Sequence, residues 1–371
     1  MKVLFFIPSL STGGAERVLV NLINNFPIEG YDIHLKTLFK DDHTKIKRDI
    51  TYSYVFPYRF RGNVHLLKLL SPKQLYQFCF KNEHFDVAVS YLHSPTMRII
   101  AGCTDKNTKL VNWIHNEFKK IEELSYMFRS KKEFFRCMQR YDRTVHVAQS
   151  AMEAFDKLMP QLTSTSCVIY NTIESNVILS KSKLNDGIPY KSNEFNLISV
   201  GRFTQAKAFD RLVRITAKLR RNGISAHLYL LGKGALADMY LKEANNLGIK
   251  EYVTLLGFQE NPYKYVAHAD LFVCSSIHEG YSTAVTESLI VGTPVITTNC
   301  SGMSELLGDN EYGIITGNDE NKLYEAVLSA ITTDGCMYDL KRKAELRSSF
   351  FSKDKTVKDV VELFNDLVNG K

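Results

Sequence analysis

The sequence contains no long apolar run and no clustered cysteines. None of its apolar runs approaches the roughly 18 residues expected of a transmembrane helix. The N-terminus has one short apolar run, Val3 to Ile7, without the longer apolar region and small-residue cleavage site of a secretion signal. The seven cysteines are scattered, and no pair has the CxxC spacing of zinc or redox sites. We therefore expect reduced thiols and a cytoplasmic protein.

Acidic residues are missing from one long stretch, Thr51 to Asn82. Residues 1–180 carry 24 Lys and Arg against 17 Asp and Glu, whereas residues 181–371 carry 23 of each. The whole net charge of +7 therefore lies in the first half. An excess of this kind predicts that the first half meets an anionic partner.

Short strand-like runs alternate with helical patterns along the chain. Most of these runs are continuously apolar, as strands are when helices cover both faces of a parallel sheet. The predicted strands are residues 3–7, 32–38, 85–92, 109–115, 144–150 and 165–171, followed by FNLISVG, AHLYLLG, YVTLLGF, DLFVCSS, TPVITT and GIIT. Two successive sets of strand–helix–strand units predict an α/β protein with two doubly wound parallel sheets.

The domain boundaries follow from a break in this rhythm. Residues 176–195 are polar, contain Gly and Pro and show little periodicity, so they are predicted to be a linker. We expect an N-terminal domain over 1–175 and a C-terminal domain over 196–352. An amphipathic pattern predicts a final helix over 353–371, which we expect to pack back on the N-terminal domain.

Two glutamates stand out in the second half, in the stretch HEGYSTAVTES. Glu279 lies in a loop after a predicted strand, and Glu287 lies eight residues later on the following helix. In a continuous helix they would be about 12 Å apart, beyond the roughly 5–9.5 Å that separates the paired carboxylates of a glycosidase. They therefore suit opposite ends of one elongated ligand, with an anionic group at the helix N-terminus between them.

The chain resembles glycosyltransferase family 4, whose retaining enzymes have the two-domain GT-B fold. The resemblance rests on the E-x7-E spacing, on the opening glycine loop PSLSTGGAERVLVNL, and on the segments VGRFTQAKAFDRLV and TPVITTNCSGMSELL. Each piece alone is weak, but their order and spacing are specific, and they extend over nearly the whole chain. The resemblance implies two Rossmann-like domains that face a central cleft.

The resemblance also implies a role for individual residues of the second half. Glu279 would be catalytic, contacting hydroxyl groups of the donor sugar, and Glu287 would bind the ribose. The remaining donor-binding residues implied here are Gly280, Tyr281, Ser282 and Thr283 at the diphosphate, Arg202 and Lys207 at the leaving group, and Phe258 at the base-binding turn. One departure is Ala208, where family members often have Gly or Asn after the lysine.

In the first half, the resemblance implies that Gly14 of the glycine loop approaches the donor phosphate. His115, at the end of a predicted strand, would be a second catalytic residue in contact with the donor sugar near its reacting carbon. His93 is a weaker candidate on the acceptor side. Considered alone, His115 is more typical of a packed or solvated side chain than of a ligand contact.

No Asp-x-Asp pair is present, so the metal clamp of the other large transferase fold has no candidate ligands, and we expect neither metal nor cofactor. Neither GxGxxG nor GxxxxGK[ST] occurs, which disfavours a dinucleotide oxidoreductase. Arg202, Lys207 and a helix end are expected to neutralise the diphosphate instead. The family mechanism implies retention by front-face attack, with a donor phosphate oxygen accepting the proton of the acceptor.

The acid-free stretch mixes five basic residues with apolar and aromatic ones: Arg59, Arg61, Lys68, Lys73 and Lys81 with, among others, Tyr58, Phe60, Leu66, Leu69 and Phe78. Residues 117–143 add eight basic residues against five acids. Basic and apolar residues on one helical element are typical of an interfacial helix at an anionic membrane. An ordinary core helix with a solvated basic face remains open, and no motif indicates nucleic-acid binding.

Together these features predict transfer of a hexose or N-acetylhexosamine from a nucleotide diphosphate sugar, with UDP expected and GDP open. The expected acceptor is a saccharide, lipid-linked, in the synthesis of a capsule, exopolysaccharide or O-antigen at the inner face of the cell membrane. Two alternatives remain: a nucleotide-sugar epimerase of the same fold, and an inactive nucleotide-sugar-binding protein.

Overall fold

The computed structural model of the protein describes residues 1–10, 13–43, 45–59, 62, 66–81 and 83–370. The chain divides into two compact units. The first unit consists of Met1–Ile173 with Lys353–Lys371, and the second consists of Glu174–Ser352.

The first unit contains a parallel sheet. Its strands are β1 (Lys2–Ile7), β2 (Asp32–Phe39), β3 (Thr51–Phe56), β4 (Val87–Ser90), β5 (Lys109–Ile114), β6 (Arg143–His146) and β7 (Ser166–Val168). In the described residues the strand order is β3-β2-β1-β4-β5-β6-β7. Every residue of β1 after Lys2 is buried, because both faces of the sheet are covered. The order in which the chain adds strands reverses between β1 and β4. In doubly wound folds, ligands bind at this switch point.

Helices connect these strands: α1 (Gly14–Asn25), α2 (Pro72–Phe80), α3 (Pro95–Ile100), α4 (Ile121–Ser125), α5 (Lys131–Met138) and α6 (Gln149–Leu158). Helix α2 has a complete N-terminal signal: the Ser71 hydroxyl accepts from the Gln74 N–H, and Gln74 accepts from the Ser71 N–H. Pro72 occupies the first helical position, where its missing N–H costs nothing.

Two expectations about the first half were wrong. The acid-free stretch is not one helical element, because residues 51–56 form the edge strand β3 and α2 begins only at Pro72. The sequence TYSYVF is rich in aromatic and β-branched residues, which favour an extended conformation. The strand predicted over 144–150 ends at His146, and α6 begins at Gln149. Phe60, Arg61 and Asn82 lie outside the described residues.

The second unit contains another parallel sheet. Its strands are β8 (Phe195–Val200), β9 (Ala226–Leu231), β10 (Val253–Gly257), β11 (Leu271–Cys274), β12 (Val295–Thr298) and β13 (Ile314–Thr316). In the described residues the order is β10-β9-β8-β11-β12-β13. The switch in direction therefore falls between β8 and β11. The expectation of two parallel, doubly wound sheets is confirmed.

The helices of this unit are α7 (Ser175–Ser182), α8 (Phe209–Arg221), α9 (Ala237–Asn246), α10 (Tyr263–His268), α11 (Thr283–Ile290), α12 (Met303–Leu307), α13 (Glu320–Thr332) and α14 (Cys336–Ser348). Helix α7 lies in the segment expected to be a linker. It buries Ile178 and packs against α10 and α11, and farther along the segment the Tyr190 hydroxyl donates to the Tyr265 carbonyl. The segment is therefore an ordered part of the second unit.

The final helix, α15 (Lys353–Asn369), packs on α1 within the first unit. The ring of Phe364 contacts the rings of Phe5 and Phe26 at centroid distances of 6.1 and 6.0 Å. Lys353 Nζ donates to Asn25 Oδ1 at 2.7 Å. Among the described residues, no helix has the length and hydropathy needed to cross a membrane.

Candidate active site

Lys207 and Glu279 lie side by side at the switch point of the second sheet. Lys207 ends a short 3-10 turn, Gln205–Lys207, after β8, and Glu279 follows β11. Because β8 and β11 are neighbouring parallel strands, their carboxyl ends adjoin. The Lys207 ammonium donates a hydrogen bond to Oε1 of Glu279. The structure thus brings together two residues that the sequence separates by 72 positions.

The pair is largely withdrawn from solvent, since the side chains of Lys207 and Glu279 are 22% and 11% exposed. Burial lowers the pKa of Lys207, but the Glu279 carboxylate more than offsets this effect, so the pKa of Lys207 stands above its usual value. Lys207 therefore remains a cation at neutral pH. A buried cation beside a sheet's carboxyl edge is suited to an anionic ligand group.

Hydrogen bonds donated by residues just after β11 connect the two loops that carry this pair. The Ser275 hydroxyl donates to the carbonyls of Lys207 and Ala208 at 2.8 and 3.1 Å. The Ile277 N–H donates to the Ala206 carbonyl at 2.8 Å. The positions of the Lys207 turn and the Glu279 loop are therefore coupled.

Ala208 has a left-handed backbone, with φ 48° and ψ 45°. This conformation costs a residue with a side chain about 1–2 kcal/mol, and Gly or Asn adopts it more readily. The structure therefore keeps, with Ala208, the backbone conformation that Gly or Asn favours. Lys207 reaches Glu279 in spite of the alanine.

Helix α11 begins at Thr283, four residues after Glu279. The Ser282 hydroxyl caps it by accepting from the Val285 N–H at 3.4 Å. Glu279 is therefore outside the helix, and the 12 Å spacing of a continuous helix does not apply. Glu287 lies in the second turn and is 3% exposed. Beside this loop, a Cβ added to Gly302 would stand 2.7 Å from the Gly280 carbonyl oxygen, so the backbone there is closely packed.

Arg202 and Phe258 follow β8 and β10. Arg202 is exposed directly after the strand, and Phe258 is 48% exposed. The loops after β9 and β10 meet where the Gly232 N–H donates to the Gly257 carbonyl at 2.8 Å. Lys233 Nζ lies 5.2 Å from the centroid of the Phe258 ring, which is within the range of a cation–π interaction.

In the first unit, His115 follows β5 and is 8% exposed. Its ring packs against Tyr91 at a centroid distance of 4.9 Å. Burial lowers the pKa of His115 to about 3, so the imidazole is neutral at physiological pH. Its Nε2 has no hydrogen-bond partner within the described part of the chain. A neutral histidine with one uncommitted ring nitrogen is able to contact a polar ligand without adding charge.

His93 is engaged within the first unit. Its Nε2 lies 3.0 Å from the Leu124 carbonyl, and its ring packs on Phe118 at 4.4 Å. Burial lowers the pKa of His93 to about 4. Gly14 is the first residue of α1, and Gly13 precedes it as the N-cap. Ser11 and Thr12 of the same glycine loop lie outside the described residues.

Among the described residues, no three His, Cys, Asp or Glu side chains lie close enough together to hold a metal ion.

Comparison with known protein families identifies two matches that together extend over most of the chain. Residues 12–176 match the profile described as Glycosyltransferase Family 4, and residues 180–347 match that of Glycosyl transferases group 1. The boundary between the two matches lies near Glu174, where the second compact unit begins.

Curated relatives match over the same length. A Campylobacter jejuni N-acetylgalactosamine-N,N'-diacetylbacillosaminyl-diphospho-undecaprenol 4-alpha-N-acetylgalactosaminyltransferase is 27% identical, over 97% of this chain and 98% of its own. A second C. jejuni protein, a GalNAc-alpha-(1->4)-GalNAc-alpha-(1->3)-diNAcBac-PP-undecaprenol alpha-1,4-N-acetyl-D-galactosaminyltransferase, is 24% identical over 98% of this chain and 99% of its own.

Solved structures share the fold. Anabaena HepE, crystallised in complex with UDP, superposes with a TM-score of 0.76 at 18% identity, over 99% of this chain and 100% of that chain. WaaG, described as a glycosyltransferase involved in lipopolysaccharide biosynthesis, superposes with a TM-score of 0.72 at 15% identity, over 100% of both chains. The predicted GT-B fold is confirmed.

Proposed function

The chain belongs to glycosyltransferase family 4, and we propose that it is a retaining enzyme that transfers a hexose or N-acetylhexosamine from a UDP-sugar. The proposed acceptor is a lipid-linked saccharide in the synthesis of a capsule, exopolysaccharide or O-antigen type polysaccharide. The observation that carries the proposal is the Lys207–Glu279 pair at the switch point of the second sheet.

The pair supports a division of labour at the donor. Lys207 is a cation at neutral pH, and in the proposed reaction it stabilises the charge that develops on the departing diphosphate, together with Arg202. Lys207 and Ser276 both donate to Oε1 of Glu279, and Oε2 accepts no hydrogen bond from the described residues. That second oxygen is available to hydroxyl groups of the donor sugar. Glu287 is proposed to bind the ribose.

Metal-free transfer is part of the proposal. Two cations, Arg202 and Lys207, and the N-terminus of α11 supply the positive charge that a metal ion supplies in other transferases. The backbone N–H groups of Gly280, Tyr281, Ser282 and Thr283 are proposed to donate to the diphosphate. His115 is proposed to contact the sugar as a neutral imidazole, which fits the low pKa of its buried ring.

The HepE structure in complex with UDP supports UDP as the nucleotide, and the relatives support N-acetylgalactosamine as the first sugar to test. Two proteins that match nearly the whole chain are named as N-acetylgalactosaminyltransferases acting on undecaprenol-linked glycans. The exposed Phe258 ring, with Lys233 beside it, is proposed to lie at the base.

An apolar, basic surface of the first unit supports docking to an anionic membrane at the cytoplasmic face. Leu66, Leu69 and Tyr126 are 54%, 74% and 56% exposed. Lys68 Nζ donates to the Tyr126 carbonyl, and Arg129 donates to the carbonyls of Lys68 and Leu69, each at 2.6 Å. Exposed leucines held in place by basic side chains suit insertion between anionic headgroups.

A buried arginine binds the backbone of the segment that carries Leu66 and Leu69. Arg98 is 2% exposed, donates to the Leu67 and Leu70 carbonyls at 2.8 and 2.6 Å, and pairs with Glu133. Because these carbonyls are satisfied inside the protein, the leucine segment keeps its shape without a partner.

Glu287→Ala tests the donor site. We expect UDP to raise the melting temperature of the wild-type protein, because a ligand that binds only the folded state stabilises it. The variant should bind UDP at least about tenfold more weakly, since it loses the charged acceptor for hydrogen bonds from the ribose hydroxyls, each worth about 1.5–3 kcal/mol. Thermal shift with UDP, GDP, UDP-N-acetylgalactosamine and UDP-glucose identifies the donor. Equal UDP affinity in both proteins would remove Glu287 from the site.

Leu66→Ser combined with Leu69→Ser tests the membrane surface. Flotation with phosphatidylglycerol vesicles at low salt should recover the wild-type protein, and the double variant should lose at least about tenfold in binding, because each leucine buries apolar area worth about 1.5–3 kcal/mol. The matched control is Leu346→Ser, which alters a leucine 58% exposed in the second unit. Wild-type protein that stays with the soluble fraction would indicate a soluble acceptor.

A product assay separates transfer from epimerisation. A transferase releases UDP in proportion to the sugar that an acceptor receives, and epimerisation with retention of the nucleotide produces a second UDP-sugar. Detection of the second UDP-sugar without free UDP would favour the epimerase alternative.

A further inference from the structure

Ser276 is a buried serine at the end of β11 that touches the proposed catalytic carboxylate. It lies three residues before Glu279 and is 1% exposed. Its Oγ donates to Oε1 of Glu279 at 2.6 Å. Nothing in the sequence pattern distinguishes Ser276 from its neighbour Ser275, because both follow the same apolar strand.

The backbone of Ser276 is fixed by the sheet. Its carbonyl oxygen accepts from Thr298 Oγ1 at 2.6 Å, from Cys300 Sγ at 3.0 Å and from Asn318 Nδ2 at 3.4 Å. These donors lie at or just after the ends of β12 and β13, the next two strands across the sheet. Three donors on one carbonyl hold this residue independently of the loop that contains Glu279.

Lys207 and Ser276 share one oxygen of Glu279, but the proposed function places another demand on Lys207. The charge of a bound diphosphate attracts the Lys207 ammonium, which is then shared between the diphosphate and Glu279. Within the described residues the Ser276 hydroxyl donates to no other acceptor, and its other contact is the weakly polar Cys274 Sγ at 3.5 Å. The hydrogen bond from Ser276 can therefore remain on Glu279 while Lys207 binds the diphosphate.

We propose that Ser276 is a positioning residue that keeps the Glu279 carboxylate aimed at the hydroxyl groups of the donor sugar while Lys207 engages the diphosphate. This inference rests on the proposed function. A hydrogen bond to a charged acceptor of this kind is worth roughly a factor of ten or more in binding. Its loss should weaken recognition of the sugar and leave recognition of the nucleotide intact.

The experiment compares wild-type protein with Ser276→Ala by calorimetric titration with UDP and with UDP-N-acetylgalactosamine. The dissociation constant for UDP should stay the same, while the additional affinity conferred by the sugar falls roughly tenfold. The kcat for release of UDP from the same donor by water should fall by a similar factor. Ser276→Cys keeps a weak donor of similar size and should lie between the two.

The matched control is Ser182→Ala, which removes another buried serine of the second unit, one whose hydroxyl donates to the Leu179 carbonyl at 2.9 Å. It should match wild type in both titrations. An unchanged kcat and sugar preference in Ser276→Ala would overturn this inference but not the proposed function. An equal loss of affinity for UDP and for the UDP-sugar would do the same. A wild-type protein that binds none of the nucleotide sugars would overturn the proposed function, and this inference with it.

Discussion

Replacing Glu279 with glutamine is expected to lower kcat by about 10²- to 10³-fold while leaving the affinity for UDP nearly unchanged. Glutamine has the same size and keeps one carbonyl oxygen for Lys207 and Ser276. What it loses is the negative charge near the reacting sugar. Interactions of this kind with charge in a transition state are worth about 2.7–4 kcal/mol.

The nucleotide should still bind because its contacts are provided by other residues. Arg202, Lys207 and the N-terminus of α11 remain in Glu279→Gln, and the diphosphate supplies the anion that Lys207 has lost. We therefore expect UDP to raise the melting temperature of the variant at least as much as that of wild type. The unliganded variant should be less stable, because it leaves a largely buried cation without its carboxylate.

The measurement is the rate of UDP release with donor and acceptor, combined with calorimetric titration of UDP. Glu325→Gln, an exposed glutamate on α13, is the matched control and should behave as wild type. Full turnover by Glu279→Gln would remove Glu279 from the catalytic site. Loss of UDP binding together with turnover would instead indicate that the carboxylate maintains the fold of the loop.

Both sheets could be predicted from the sequence because their strands are continuously apolar and their connections are helical. The edge strand β3 could not, since TYSYVF lacks the continuous apolar run of a covered strand. Helix α7 could not either, because it buries only Ile178 and Ser182 and so shows no apolar stripe. In both cases tertiary packing determines the conformation.

The residues of the candidate site can be proposed from the sequence, but their geometry cannot. The sequence places Lys207 and Glu279 after different strands, and only the strand order β8-β11 makes those two strand ends adjacent. The hydrogen bond from Ser276 depends on side-chain directions at the end of one strand, for which the sequence has no signal. The sequence therefore indicates which charged residues to consider, but not how they are arranged.

Acidification from pH 8 to pH 5 is expected to destabilise the first unit by about 6 kcal/mol through three histidines whose pKa values are lowered in the folded protein. They are His93, His115 and His146, and burial lowers the pKa values of their imidazoles to about 4, 3 and 3. Unfolded histidine has a pKa of about 6.5. Between about pH 6.5 and the folded pKa values, the unfolded chain binds protons that the folded chain does not. Stability is therefore complete above pH 6.5 and is lost as the pH falls.

The size of the effect follows from the same pKa difference. Each histidine contributes about 2 kcal/mol to the loss of stability at pH 5, because pH 5 lies about 1.5 units below the unfolded pKa and one unit corresponds to about 1.4 kcal/mol. Three such contributions are comparable with the lower end of the stability of an ordinary domain, about 5–15 kcal/mol. The first unit should therefore be much less stable at pH 5 than at pH 8. His146 has the simplest environment, because it is 0% exposed and neither ring nitrogen has a hydrogen-bond partner in the described residues.

Fluorescence of Trp113, the single tryptophan, is the measurement, because this residue lies on β5 of the first unit and is 2% exposed. Urea unfolding followed at pH 8 and pH 5 should show the loss of stability. His146→Leu should reduce that loss by about 2 kcal/mol, since it removes one proton-binding group. His268→Gln alters an exposed histidine of the second unit and should leave the loss unchanged. An unfolding midpoint for Trp113 that is the same at both pH values would show that the three imidazoles are not held neutral in the folded protein.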